Sequence, residues 1–205
     1  METNKIKKVY LYGAGGHAKV IIDILQENGI IVVGIIDDNK GLTSLLEIPV
    51  IPIFKTGNPL IISIGNNVSR KKIVEKLGNV CYTQAISKKS VISEKSTQKE
   101  GSVIMQGAII QSSTKIEKHV IINTGATIDH DCIIEDYVHI APGVHLCGNV
   151  QVGEGTLIGV GSVVTPGIKI GKWSVIGAGS VIVNDIPDGV LAMGNPCKVV
   201  KMLSI

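Results

Sequence analysis

Residues 127–162 read TIDHDC IIEDYV HIAPGV HLCGNV QVGEGT LIGVGS, six blocks of six whose second place is always Ile, Leu or Val. The sixth place holds only small or β-branched residues: Cys132, Val138, Val144, Val150, Thr156 and Ser162. Extended both ways, the frame runs from Val91 to Ser180 as fifteen blocks without an insertion, and Gln98 is the one lapse at the second place. A period of six matches neither an amphipathic helix nor a simple alternating strand. It suits a triangular coil in which each block supplies one flat side and one corner, with the aliphatic residue pointing inward. Three blocks close a coil, so fifteen give five coils. Gly107, Gly125, Gly143, Asn149, Gly155, Gly161, Gly167 and Gly179 fall near the corners, where a turn calls for positive φ. A β-sandwich would place turns every 8 to 12 residues or so and would tolerate slips of register that this array lacks.

Upstream of the array the pattern changes to alternating strands and helices. Lys8–Tyr12 reads as a strand, His17–Asn28 as a helix stopped by Gly29, Ile30–Ile36 as a second strand and Leu60–Ile64 as a third. Ile48–Phe54 carries two prolines and reads as irregular, and a helix capped by Asn67 or Ser69 follows the third strand. This is a parallel βαβ arrangement. Residues 79–90 read as its link to the coils. The segment holding Asp185–Gly189 and Gly194–Pro196 reads as a turn-rich cap on the open end. The fold class is therefore an α/β N-terminal Rossmann-like domain, 1–84, followed by a left-handed parallel β-helix of hexapeptide repeats with a C-terminal cap, 85–205.

Gly13-Ala14-Gly15-Gly16-His17-Ala18 lies between a strand and a helix, where backbone N–H groups and the helix dipole hold phosphate oxygens. It also fits G-x-G-x-x-A, with Asp37 or Asp38 near the place of a ribose-binding acid. Only about half of a dinucleotide fold fits before residue 90, so a single nucleotide carrying a sugar suits the site better than NAD.

Composition closes off other classes. The chain has 44% hydrophobic but 3% aromatic residues, so its core is aliphatic, and its net charge of +3 forms no nucleic-acid patch. Cys81, Cys132, Cys147 and Cys197 fit no metal spacing and read as reduced thiols, with structural roles for Cys132 and Cys147. The polar start Met1–Lys5 lacks a signal peptide's apolar stretch, and no run of about 18 apolar residues could span a bilayer. These features point to a cytoplasmic protein without membrane or nucleic-acid partners.

Several motifs together resemble the sugar O- and N-acyltransferases of the sialic-acid and bacillosamine type, within the hexapeptide-repeat superfamily. They are Tyr12–His17 with Asp37-Asp38, Ile64–Asn67 followed by Arg70-Lys71-Lys72, Asn123–Cys132, and the tail Gly194–Lys198. Cys197 stands where the family usually has alanine, and Asp131 where a glutamate is often found. The resemblance implies a homotrimer with active sites between subunits, acetyl-CoA as co-substrate and no metal. It implies N-acetylation of the 4-amino group of a nucleotide-linked 4-amino-4,6-dideoxy sugar, with His130 as general base and Asp131, or else Asp129, holding the imidazolium. A near-neutral histidine pKa suits that role.

Gly15, Gly16, His17, Asp37, Asp38, Gly65 and Asn66 are the expected substrate-binding residues. One coil is eighteen residues, which places Gly148 over His130, where it leaves room for a thioester and offers its N–H to the oxyanion. Gly148, His139, Val160 and Ala178 are the expected acetyl-CoA contacts. His119 and His145 read as surface or corner residues. A sialic-acid-type O-acetyltransferase and a trimeric scaffold without activity remain as alternative readings.

Overall fold

The computed structural model describes residues 7–53 and 57–204; the expectations for Met1–Lys5 and Phe54 lie outside the described residues. Strand β1 (Lys8–Tyr12) leads through the glycine-rich loop into helix α1 (Gly16–Glu27), and then β2 (Ile31–Ile36) returns parallel to β1. A short β3 (Ser44–Leu45) and β4 (Ile48–Ile51) follow, then β5 (Leu60–Ile62) and helix α2 (Asn67–Leu77). The sheet order is β3-β4-β2-β1-β5. The stretch expected to be irregular is thus a strand in part. Pro49 is tolerated because β4 pairs with β2 through Val50 and Ile51 and with β3 through Ile48 and Pro49, near the sheet edge. The cap of α2 is also corrected: Asn66, not Asn67 or Ser69, accepts the Ser69 N–H at 2.9 Å.

From Ala85 onward the chain is a parallel β-solenoid of two-residue strands on three faces. The first face stacks Ala85–Ile86, Val103–Ile104, Ile121–Ile122, His139–Ile140, Leu157–Ile158 and Val175–Ile176. The second runs from Val91–Ile92 to Val181–Ile182, and the third from Thr97–Gln98 to Lys169–Ile170. The array begins one block earlier than expected, because Ala85–Ile86 already pairs with Val103–Ile104 and is no linker. The closing segment is more regular than expected too. Val190–Met193 extends the first face in parallel and Lys198–Met202 folds back on it antiparallel, with Val190 and Ala192 in the solenoid core.

The interior follows the block pattern. Ile104, Ile116, Ile122, Ile128, Ile134, Ile140 and Ile158 are fully buried, and each such side chain contributes about 1.5–3 kcal/mol. Four sixth-place hydroxyls are buried without penalty because they bond carbonyls fifteen residues on: Ser102 to Glu117 at 2.8 Å, Thr114 to Asp129 at 2.7 Å, Thr156 to Gly171 at 2.6 Å and Ser162 to Gly177 at 3.1 Å. Cys132 follows the same rule through its contact with the Cys147 carbonyl at 3.3 Å, and all four cysteines are free.

The N-terminal domain docks on the first face. Val103, Met105 and Ile121 share one core with Ile21, Ile22 and Leu25 of α1 and with Val9, Leu11 and Ile61 of the sheet. Helix α2 lies on the corner between the third and first faces, where Asn67 donates to the Gly155 carbonyl at 3.0 Å.

Candidate active site

His130 stands at the corner between the second and third faces, between the strands Thr127–Ile128 and Ile133–Ile134. Its backbone N–H donates to Asp129 Oδ1 at 2.8 Å, and its Nδ1 lies 2.8 Å from Asp131 Oδ2. Asp131 has φ 60°, the turn that swings its carboxylate back beside the imidazole. The two neighbouring acids thus do different work: Asp129 holds backbone and Asp131 holds the ring. The ring itself is outside the solenoid interior, with 59% of the side chain exposed.

Gly148 lies over that ring. A Cβ built on it would fall 2.6 Å from both Cε1 and Nε2 of His130. The N–H of Gly148 makes no hydrogen bond among the described residues, while the next N–H, of Asn149, is taken by the His130 carbonyl at 2.9 Å. A bare donor beside Nε2 is what an oxyanion would need. The Asp131 hydrogen bond, then the charge of Asp129, hold the His130 imidazole above its ordinary pKa of 6.5.

Val160 and Ala178 sit elsewhere. Both are exposed, one coil apart, at the corner between the first and second faces, so one chain does not bring them to His130. His139 is displaced further from its expected setting. It lies on the first face, its Nε2 3.0 Å from Asn123 Nδ2, and burial first, then the charges of Arg70 and His17, lower its pKa to about 4. Gly65 opposes that shift through a backbone hydrogen bond, so this histidine belongs to the seam between the domains.

The substrate residues expected from the sequence surround one crevice. β1 has β2 on one side and β5 on the other, so the switch point of the sheet lies between Gly13–Gly16 and Ser63–Asn66, where open parallel sheets bind ligands. The loops abut: a Cβ on Gly13 would meet the Ile64 side chain at 2.6 Å. Gly15, Gly16 and Asn66 are exposed there, and nothing would crowd a group approaching Gly15, Gly16 or Gly65. Asp37 ties the loop down, accepting from the Ala14 N–H at 2.7 Å and the Asn39 N–H at 2.8 Å. Asp38 remains the outward acid, 74% exposed, bonded by the Tyr12 hydroxyl at 3.0 Å and 3.8 Å from Lys76. Burial, then Asp38, push the Tyr12 hydroxyl up to about 12. His17 is partly buried beside the loop, and burial, then Arg70, hold it at about 4.

Of the surface or corner role expected of His119, the structure gives the corner and not the surface. His119 occupies a corner with φ 55° but is 2% exposed, stacked on Tyr137 and edge-on to Tyr82 under α2. His145 is exposed, with its Nδ1 2.8 Å from the Thr127 hydroxyl. Among the described residues no cluster of His, Cys, Asp or Glu could hold a metal, and no helix is long and apolar enough to cross a membrane.

Comparison with known proteins agrees with this layout. Residues 8–77 match the PglD N-terminal domain, and residues 113–184 match the bacterial transferase hexapeptide (six repeats) in three overlapping segments. A solved variant of perosamine N-acetyltransferase from Caulobacter crescentus, in complex with CoA and GDP-perosamine, is 36% identical over 96% of this chain and 98% of that one, with a TM-score of 0.91. The chain belongs to the bacillosamine-type sugar acyltransferases. The acetyltransferase domain of PglB from Neisseria gonorrhoeae, in complex with acetyl coenzyme A, is 34% identical over 95% of this chain and all of that one, TM-score 0.87. An uncharacterized protein of Acanthamoeba polyphaga mimivirus is 39% identical over 89 residues; the chain spans only 18% of that curated relative's length.

In this bacillosamine-type acyltransferase the sequence reading missed the residues that join the domains. Arg70, Asn67 and Trp173 had no periodic signal, since a docking seam leaves no repeat. Arg70 and Asn67 did stand in a motif, Ile64–Asn67 with Arg70, but spacing alone assigned them no partner.

Proposed function

We propose that this enzyme transfers the acetyl group of acetyl-CoA directly to the 4-amino group of a nucleotide-linked 4-amino-4,6-dideoxy sugar. The observation that carries the reading is the exposed His130 imidazole, braced at Nδ1 by Asp131 and covered at Nε2 by the bare backbone of Gly148. Nε2 accepts the amine proton as nitrogen attacks the thioester carbonyl. The Gly148 N–H steadies the oxyanion, and the C–S bond breaks as the intermediate collapses. The thiolate of CoA then takes the proton back from the imidazolium, whose Nδ1–H points at Asp131. No acyl-enzyme is needed. The closed half of a dinucleotide fold and the free loops at its switch point favour a nucleotide-sugar over a free sugar acid. The cytoplasm is the setting proposed for the reaction.

Thiol release from acetyl-CoA, measured across UDP-, dTDP- and GDP-linked 4-amino sugars beside free sialic acid, tests this reading. Release only with the sialic acid would replace it by O-acetylation, and release with none would leave the scaffold.

The base must be neutral to act, so a raised pKa moves the acidic limb of kcat/KM upward. That limb is expected above pH 6.5, and Asp131→Asn, which removes the largest cause of the shift, is expected to move it to lower pH. A limb unmoved by the substitution would separate Asp131 from the base.

Geometry within one chain also argues for a multimer. The crevice belongs to a domain docked on the first face, whereas His130 projects from the corner opposite that face. A sugar held by the crevice therefore reaches His130 of a second copy. We expect a mass near three times 21.6 kDa in solution. Trimers assembled from mixed His130→Ala and Gly16→Asp chains should recover activity that neither variant has alone. Active monomers would refute the arrangement.

A further inference from the structure

Arg70 is 1% exposed, one turn into α2. Its guanidinium donates five hydrogen bonds: Nε to the His119 carbonyl at 2.9 Å, Nη1 to the carbonyls of Ile64 at 3.0 Å and Gly65 at 3.1 Å, and Nη2 to Asn67 Oδ1 at 2.9 Å and the Tyr137 carbonyl at 2.7 Å. Every acceptor is a neutral oxygen. No ion pair among the described residues includes Arg70, although burying a charge without an opposite charge is costly. Carbonyl dipoles orient the cation without cancelling its charge.

The place of that charge matters more than its burial. The guanidinium lies directly behind Ile64 and Gly65, one wall of the crevice whose other wall is the glycine-rich loop. Asp37, Asp38 and Lys71, the charged groups nearest the crevice, are already committed. Asp37 is held by two backbone N–H groups, and Asp38 faces Tyr12 and Lys76 beyond the end of β2. Lys71, the next residue on α2, bonds Glu154 at 2.7 Å and lies over Trp173. Nε2 of His17, beside the loop, is buried without a hydrogen-bond partner.

We infer that Arg70 is a positioning and specificity-determining residue of the nucleotide-sugar site, fixing the Ile64–Asn67 loop onto the solenoid and supplying the buried positive charge that a diphosphate in the crevice neutralises. The inference rests on the nucleotide-sugar reading. An uncharged sugar offers this cation nothing, whereas a diphosphate brings two negative charges to within one loop of it. The reach of the field is visible in His17 and His139, both held at about 4 by burial first and Arg70 second. A diphosphate opposing Arg70 would let both imidazoles titrate higher.

The test uses the full chain, titrated with UDP, dTDP and GDP and with the matching uncharged nucleosides. Arg70→Met is expected to weaken diphosphate binding by about tenfold or more, as for loss of a nearby opposite charge in a poorly screened site, with a smaller loss of nucleoside binding and the KM for acetyl-CoA unchanged. Arg70→Lys, which keeps the charge and loses the planar fork, should recover most of the loss. In the unmodified chain, histidine ring resonances followed by NMR should show the pKa of His17 and His139 rising with a diphosphate and staying put with a nucleoside. If Arg70→Met does not fold, Arg70→Gln set beside Arg70→Lys in the same diphosphate and nucleoside titrations decides the matter. Equal losses for diphosphate and nucleoside, or imidazoles indifferent to the diphosphate, would overturn the inference and leave the nucleotide reading standing. No binding of any nucleoside diphosphate by the unmodified chain would overturn both.

Discussion

His130→Ala is expected to lower kcat by about 10²–10⁴-fold, the usual contribution of a positioned general base, with no loss of folding stability. The stability half of that expectation follows from where the side chain is. It is 59% exposed, and its one side-chain partner is Asp131, itself 59% exposed. The backbone contacts of residue 130 survive the change: its N–H still reaches Asp129 and its carbonyl still accepts from Asn149. Residue 131 carries the positive φ, so alanine at 130 adds no strain. The catalytic half follows from the lack of any substitute. The next histidines are buried under α2, bound to Asn123 on the first face, or, like His145, exposed on the second. His145→Ala is the matched control and should leave kcat unchanged. A His130→Ala enzyme with full turnover would remove the chemistry proposed for this corner. A loss matched by a lower melting temperature would make the residue structural.

The solenoid was legible because its core asks the same question every sixth residue, and the answers Ile122, Ile128, Ile134 and Ile140 do not depend on any distant partner. The block at 85–90 escaped because Lys88-Lys89 and the serines around it hide a core position held only by Ile86, which is partly buried. β4 escaped because Pro49 argues against a strand unless the strand lies near an edge, and edge position is a property of the whole sheet. The His130 corner was readable for the opposite reason: an eighteen-residue coil turns sequence spacing directly into spatial stacking, so the relation of residue 148 to residue 130 can be counted. The seam has no such rule. Arg70 meets His119 and Tyr137, 49 and 67 residues away, only because α2 docks on one corner of the solenoid, and that docking is set by apolar packing of α1 and the sheet on Val103 and Ile121. The same docking buries His139 in the seam, against Asn123 and the Gly65 backbone.

Gly148→Ala is expected to cut kcat by about 10²-fold while the protein stays folded, because an ångström-scale misplacement of a catalytic group costs that much. The added methyl would stand 2.6 Å from Nε2 and Cε1 of His130, inside any permitted contact, and a tight 3.2 Å from Nδ1. Something must yield, and the ring is the softest neighbour. It is the far end of an exposed side chain, and swinging it away also breaks its bond to Asp131. Other glycines of the solenoid would behave differently. A methyl on Gly159 would meet the Ile176 carbonyl and the Ala178 N–H of the next coil, so Gly159→Ala should lower the melting temperature. Gly148→Ala keeps its own N–H, which makes the cause of the loss separable. If the methyl acts by displacing the base, adding Gly148→Ala to His130→Ala should cost little more, and the two effects will fall well short of additive. Full additivity would mean that the methyl blocks the thioester instead of the imidazole. Unchanged turnover with the pH limb in place would mean that the ring does not work where the coil puts it.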